Sequence, residues 1–172
     1  MFRVSFLAGM ILAIACATGD AKAAQIYIVA LGASNTAGLG VGTPGAYPAL
    51  LKSMLRARGY EANVSNAGVS GDTTAGMLSR LDVAVPAGTQ LVILDQAPLN
   101  DELHGLSGQH SANVNAIVSR LRARKIKTIV IPAIRAWGGN LLQSDGIHLT
   151  AEGQARVAAH LLPLVVSSVG KK

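Results

Sequence analysis

Cysteine occurs once in the 172 residues, at Cys16, so no intramolecular disulfide can form. Aromatic residues are nearly as sparse, with one tryptophan, three tyrosines and two phenylalanines. So few stacking rings weigh against a nucleic-acid surface and against a broad sugar platform. Charge is thin as well, at 14% of residues, while half the chain is apolar, which excludes a disordered chain. The net charge of +6 does not gather into a nucleic-acid patch. Its densest run, residues 120–127 (RLRARKIK), falls at the predicted end of a helix, where cations meet the helix dipole favourably. Glycine and alanine are plentiful instead, a balance that suits helices packed closely on a sheet.

The N-terminus stands apart. One early cation, Arg3, precedes an apolar stretch over residues 4–17 and a small-residue site, Ala21-Lys22-Ala23. This is the layout of a secretory signal peptide cleaved after Ala23, and the stretch is short for a membrane span. An uncleaved anchor and a lipoprotein signal at Cys16 are the alternatives; Ala13 stands where the latter wants leucine. Residues 24–172 then make one domain with no stable membrane span, placed by export in the periplasm or outside the cell.

That domain alternates short apolar runs with segments of helical period. Residues 26–31 (IYIVAL), 61–65 (EANVS), 90–95 (QLVILD) and 127–133 (KTIVIPA) read as strands. Tyr47, Leu50, Leu51, Met54 and Leu55 lie at helical spacing, with Gly59 as a stop. Residues 72–81 read as a short helix capped by Asp72 or Thr73, residues 111–124 as an amphipathic helix, and residues 150–169 as a last helix kinked or shortened by Pro163. Continuous apolar strands between helices predict a parallel sheet covered on both faces, an α/β class. Ligands in such sheets bind beyond the carboxyl ends of the strands, so the loops after Leu31, Ser65, Asp95 and Ala133 hold the candidates.

The first of these loops, ALGASNTAGLGVG (residues 30–42), invites a phosphate-binding reading and fails it. The glycines at the strand-to-helix turn itself lack the G-x-G-x-x-G spacing, the second strand ends at Ser65–Asn66 rather than on a carboxylate, and no G-K-[ST] follows. Ser34 is left in the loop, where a serine alone means little. A partner base changes its meaning. Near the other end, SDGIHLTAEG (residues 144–153) sets Asp145 three residues before His148, ahead of a helix start at Thr150. The carboxylate there can fix the imidazole tautomer, freeing the other ring nitrogen to take a proton from a serine. His104 and His110 fall in a polar loop without a carboxylate in an equivalent frame, and His160 falls on the surface of the last helix. No H-x-x-x-H or H-x-H pair exists to seat a metal, and no cofactor motif is found.

Acyl transfer also needs donors aimed at a developing oxyanion, each worth roughly 2.7–4 kcal/mol of barrier. Gly71 in NAGVSGDTT would let a backbone N–H approach the substrate, and Asn100 in DQAPLND carries a side-chain amide. Taken singly, Asn100 reads as a plain Asn-Asp turn and Gly71 as a helix-entry glycine; together, four loops on one sheet edge supply nucleophile, donors, base and orienter. The α/β-hydrolase fold is rejected, because its G-x-S-x-G is absent and several strands should precede the serine.

With these blocks in order (LGASNTAG, NAGVSGDTT, PLND, DGIHLTAEG) the chain resembles the SGNH hydrolase superfamily, also called GDSL esterases and lipases. It is most similar there to the bacterial thioesterase/lysophospholipase and arylesterase-like branch. The resemblance implies a flavodoxin-like three-layer α/β/α sandwich with a central parallel sheet. It implies Ser34 as nucleophile, His148 as base, Asp145 as orienter, and an oxyanion hole of the Ser34 and Gly71 N–H groups with the Asn100 amide. The substrate is then a small carboxylic ester (acyl, aryl or thioester), with no cofactor. A weakly catalytic ligand-binding protein and a polysaccharide O-deacetylase are the alternatives. Two departures stand out: the family's G-D-S is Gly32-Ala33-Ser34, and its G-x-N-D is Pro98-Leu99-Asn100-Asp101. The proline and leucine are expected to narrow the acyl site or to shift Asn100. Residues 135–143, with the loop at 103–109, are expected to border it.

Overall fold

The computed structural model describes residues 25–133 and 139–170. The segment 1–23, Cys16 within it, and residues 135–138 of the expected pocket border lie outside the described residues. The chain runs β1 (Ile26–Gly32), α1 (Ser34–Ala37), α2 (Gly42–Gly45), α3 (Tyr47–Ala57), β2 (Ala62–Gly68), α4 (Thr74–Ser79), α5 (Leu81–Ala84), β3 (Leu91–Asp95), α6 (Pro98–Leu103), α7 (His110–Ala123), β4 (Lys127–Ile131) and α8 (Ala151–Val169). All neighbouring strands are parallel, in the order β2-β1-β3-β4.

Strand periodicity divides the core into two. In β1, Ile28 and Ala30 point to one face and Val29 and Leu31 to the other; in β3, Leu91 and Ile93 oppose Val92 and Leu94. The first face is covered by α3 and α8 through Tyr47, Leu51, Leu55, Val157, Leu161 and Val165. The second is covered by α4, α5 and α7 through Met77, Leu81, Ile117 and Leu121. The result is the three-layer α/β/α sandwich the strand pattern requires. Each fully buried Leu, Ile or Met contributes about 1.5–3 kcal/mol. β4, at the sheet edge, is more open, with Val130 exposed.

Four local readings change. β2 continues past Ser65 to Gly68, which pairs with Gly32, so Asn66 and Ala67 lie in the strand. The PLND segment is not loop but the start of α6, with Pro98 in the first turn, where its missing N–H costs nothing. His110 begins α7 rather than sitting in a loop. Pro163 neither shortens nor ends α8, which continues to Val169. Pro163 and Ala159, the residue whose carbonyl loses its partner, are both exposed, so water can take the freed acceptor. Leu161, Leu162 and Val165 meanwhile hold the helix on the sheet. Thr73 and Thr150 cap α4 and α8, accepting from the Gly76 and Gly153 N–H groups at 3.1 Å each.

Candidate active site

The carboxyl ends of β1 and β3 deliver the site. Gly32 ends β1 under crowding: a Cβ there would lie 2.1 Å from Thr36 Oγ1 and 2.7 Å from Asp95 Cβ. Only glycine lets the chain turn this tightly into α1, whose first residue is Ser34. Thr36 Oγ1 donates to Asp95 Oδ2 at 3.1 Å, and the Tyr47 hydroxyl donates to Thr36 Oγ1 at 3.2 Å. Asn66 Nδ2 donates to the Thr36 carbonyl at 2.8 Å, tying β2 to the same turn. Burial pushes the Asp95 carboxyl above the ordinary range, and burial with the nearby Asp95 charge pushes the Tyr47 phenol up.

Ser34 and His148 lie 114 residues apart in sequence and meet here. His148 Nε2 is 3.0 Å from Ser34 Oγ, and His148 Nδ1 is 2.6 Å from Asp145 Oδ2. Asp145 Oδ1 accepts the N–H groups of Ile147 and His148 at 2.8 and 2.9 Å. The hydrogen bond from His148, followed by these two N–H groups, lowers the Asp145 carboxyl to about 2. Ser34 is 8% exposed, whereas the Asp145 side chain is 43% exposed. The nucleophile candidate is sheltered and its orienter faces solvent.

A cavity of about 280 Å³ opens over Ser34, with Asn100 on its polar side and Ala33, Ala97, Pro98, Leu99 and Ile147 on its apolar sides. Pro98 and Leu99 border it as expected. The 103–109 loop does not, and among the described residues neither does 139–143; Glu102, Ala133 and Ile147 take their place. Asn100 Nδ2 donates to the Asp72 carbonyl at 2.7 Å, which leaves the amide's second hydrogen uncommitted. Gly71 has φ 78° and does not line the cavity. Its N–H and that of Ser34 have no partner among the described residues.

Sequence reasoning missed several supporting groups. His110 has a carboxylate after all: its Nδ1 lies 2.7 Å from Asp101 Oδ2, and Asp101 also accepts the Thr74 N–H and hydroxyl at 2.9 and 2.6 Å. The pair spans nine residues across a turn, a spacing no helical or strand period would flag. Arg80 joins Asp72 Oδ2 at 2.7 Å and reaches the Gly32 and Ala67 carbonyls. Asn35, beside Ser34, carries no local signal, because its side-chain partners Ile147 and Leu149 lie 112 and 114 residues away. His104 Nδ1 lies 2.8 Å from the Asn100 carbonyl, and His160 is exposed on α8.

Residues 30–143 match the GDSL-like lipase/acylhydrolase family. The chain belongs to that family. It is 32% identical over 130 residues to a Pseudomonas aeruginosa protein named esterase TesA, covering 75% of this chain but 63% of that relative. Among solved structures it is similar to TesA, at 25% identity and TM-score 0.71 over 82% of this chain and 98% of that one. It is also similar to AlinE4, described as an SGNH-hydrolase family esterase, at 28% identity and TM-score 0.64 over 87% and 100% of the two chains. The sandwich is therefore the family's fold. No helix among the described residues is long and apolar enough to cross a membrane.

Proposed function

We propose that this chain hydrolyses small carboxylic esters through an acyl-enzyme on Ser34. The reading is supported above all by one relay: Ser34 Oγ to His148 Nε2 at 3.0 Å, then His148 Nδ1 to Asp145 Oδ2 at 2.6 Å. As Ser34 Oγ bonds to the ester carbonyl carbon, His148 Nε2 takes its proton, and Asp145 stabilises the imidazolium. The carbonyl oxygen becomes an oxyanion that the free Asn100 hydrogen and the Ser34 N–H receive in the cavity; the Gly71 N–H, outside the cavity lining but next to the Asp72 carbonyl that holds Asn100, is the third donor that the family resemblance implies. Collapse breaks the bond to the leaving alcohol, which departs with the proton from His148. Water then gives a proton to His148 and adds to the acyl carbon; Ser34 Oγ leaves, recovering that proton. The sum is ester plus water to acid plus alcohol.

The cavity of about 280 Å³ sits at the small end of ligand pockets and favours short acyl groups. The names of the similar proteins, esterase TesA and the esterase AlinE4, support the same chemistry. Export by residues 1–23 to the periplasm or beyond completes the proposal.

A fluorophosphonate probe tests it on the protein and on separated periplasmic and cytosolic fractions. One equivalent should attach to Ser34, in the exported fraction, and block hydrolysis of a nitrophenyl acetate-to-octanoate series. Ser34→Ala should remove labelling and turnover with an unchanged melting temperature. A folded wild-type chain that binds acyl ligands or glycans without labelling sinks the esterase in favour of a binding protein. Acetylated sugars turned over well above the nitrophenyl esters redirect it to an O-deacetylase.

A further inference from the structure

The letters that name the family, G-D-S-L, fall in this chain on Gly32-Ala33-Ser34-Asn35, so an amide stands where an aliphatic side chain gives the family its name. Asn35 is 8% exposed, and its amide reaches the other end of the protein. Oδ1 accepts the Leu149 N–H at 2.8 Å, and Nδ2 donates to the Ile147 carbonyl at 3.2 Å. The two partners are the residues on either side of His148. The amide orientation is dictated by them, since one offers a donor and the other an acceptor.

The main chain around His148 is fully bonded, and the pattern is informative. The Ile147 and His148 N–H groups go to Asp145 Oδ1, the His148 carbonyl accepts Gln143 N–H, and the Leu149 carbonyl accepts Gln143 Nε2. All four bonds stay within residues 143–149. The two that leave that segment, from the Ile147 carbonyl and the Leu149 N–H, both end on Asn35. Asn35 is itself pinned from behind: its carbonyl accepts Gln154 Nε2 at 2.9 Å, while Gln154 Oε1 accepts the Tyr47 N–H at 2.8 Å. Gln154 is fully buried, so these bonds are shielded from water.

We infer that Asn35 is a positioning residue for the general base, a two-point clamp that sets the His148–Ser34 distance from the position next to the nucleophile. The His148–Asp145 pair is local and forms within its own loop, with or without the clamp. What the loop cannot do alone is hold Nε2 against Oγ. Proton transfer from Ser34 depends steeply on that separation, so the clamp acts on the acylation rate rather than on substrate binding.

The inference rests on the esterase reading, and the test separates the two. Wild-type labelling by a fluorophosphonate checks that reading first. Given labelling, Asn35→Ala and Asn35→Leu should lower kcat for nitrophenyl acetate and the labelling rate at Ser34 by ten- to a hundredfold, with KM within twofold. The downfield NMR signal of the His148 Nδ1 proton should persist, because its bond to Asp145 is independent of the clamp. Variants that label and turn over within twofold of wild type overturn the inference, as does a loss confined to KM. Should both variants fail to fold, the wild type still decides: hydrogen exchange at the Leu149 amide should be strongly retarded, and rapid exchange there overturns the clamp.

Discussion

Asn100 illustrates how a single side chain can be both anchored and available. One amide hydrogen is committed to the Asp72 carbonyl at 2.7 Å, fixing the side-chain plane, and the amide borders the cavity above Ser34. Pre-fixed donors of this kind act on the transition state without reorganising when charge develops. Asn100→Ala should therefore lower kcat by about 10²–10³ with little change in KM, while Asn100→Asp, which replaces the donor with a second anion, should be at least as damaging. Steady-state kinetics on nitrophenyl acetate measure both, and a wild-type kcat in either variant removes Asn100 from the mechanism. Its neighbour Asp101 faces away from this task, fully buried against Thr74 and His110. It fastens α6, which carries Asn100, to the start of α4.

Among the elements, α1 is closely constrained by a glycine at the end of a neighbouring strand. Gly68, at the end of β2, lies so close that a Cβ would fall 2.2 Å from the Ala37 nitrogen and 2.7 Å from the Thr36 carbonyl carbon. Both are backbone atoms, so α1 must move to admit it. Gly68→Ala should cost about 1–3 kcal/mol through overpacking and slow the reaction by displacing Ser34. Gly108→Ala, where a Cβ meets nothing within 4 Å, is the control. Equal melting temperatures and rates for the two variants would break the link between this packing and the nucleophile. The same elements mark how far the sequence could be read. Apolar periodicity located each strand among the described residues and the long helices, because burial on two sheet faces leaves a period that composition cannot hide. The separate blocks around Ser34, Gly71, Asn100 and His148 were legible as residue types, and the parallel topology explains why they meet. Their supports were not. Asn35 reaching Ile147 and Leu149, and Arg80 spanning two strand-end carbonyls, depend on contacts between separate segments, and Asp101 reaches His110 across a nine-residue turn; no helical or strand period encodes any of them.

Across the whole molecule, two carboxylates near the carboxyl edge of the sheet, Asp145 and Asp95, are shifted in opposite directions, and stability should record this with pH. Asp145 is held at about 2 by its hydrogen bond from His148 and by two backbone N–H groups. Its contribution is fully present above the ordinary aspartate value near 3.9 and is lost as pH falls toward about 2. Asp95 is raised by burial, against the hydrogen bonds from Ala97, Thr36 and Ala33. Its effect runs the other way: stability is greatest below about pH 3.9, where it is protonated in both states, and declines as pH rises through the raised value. Melting temperatures of wild type, Asp145→Ala and Asp95→Asn between about pH 3 and 8 separate the two. The deficit of Asp145→Ala should be constant above about pH 5 and shrink as pH falls toward 3. Asp95→Asn should gain on wild type as pH rises from about 4, because the variant has no buried charge to form. A deficit of Asp145→Ala that grows in acid would reverse the sign assigned to that carboxylate. It would mean that the bonds from His148, Ile147 and His148 N–H do not favour the charged form, and with that the orienting role beside the imidazole would fail.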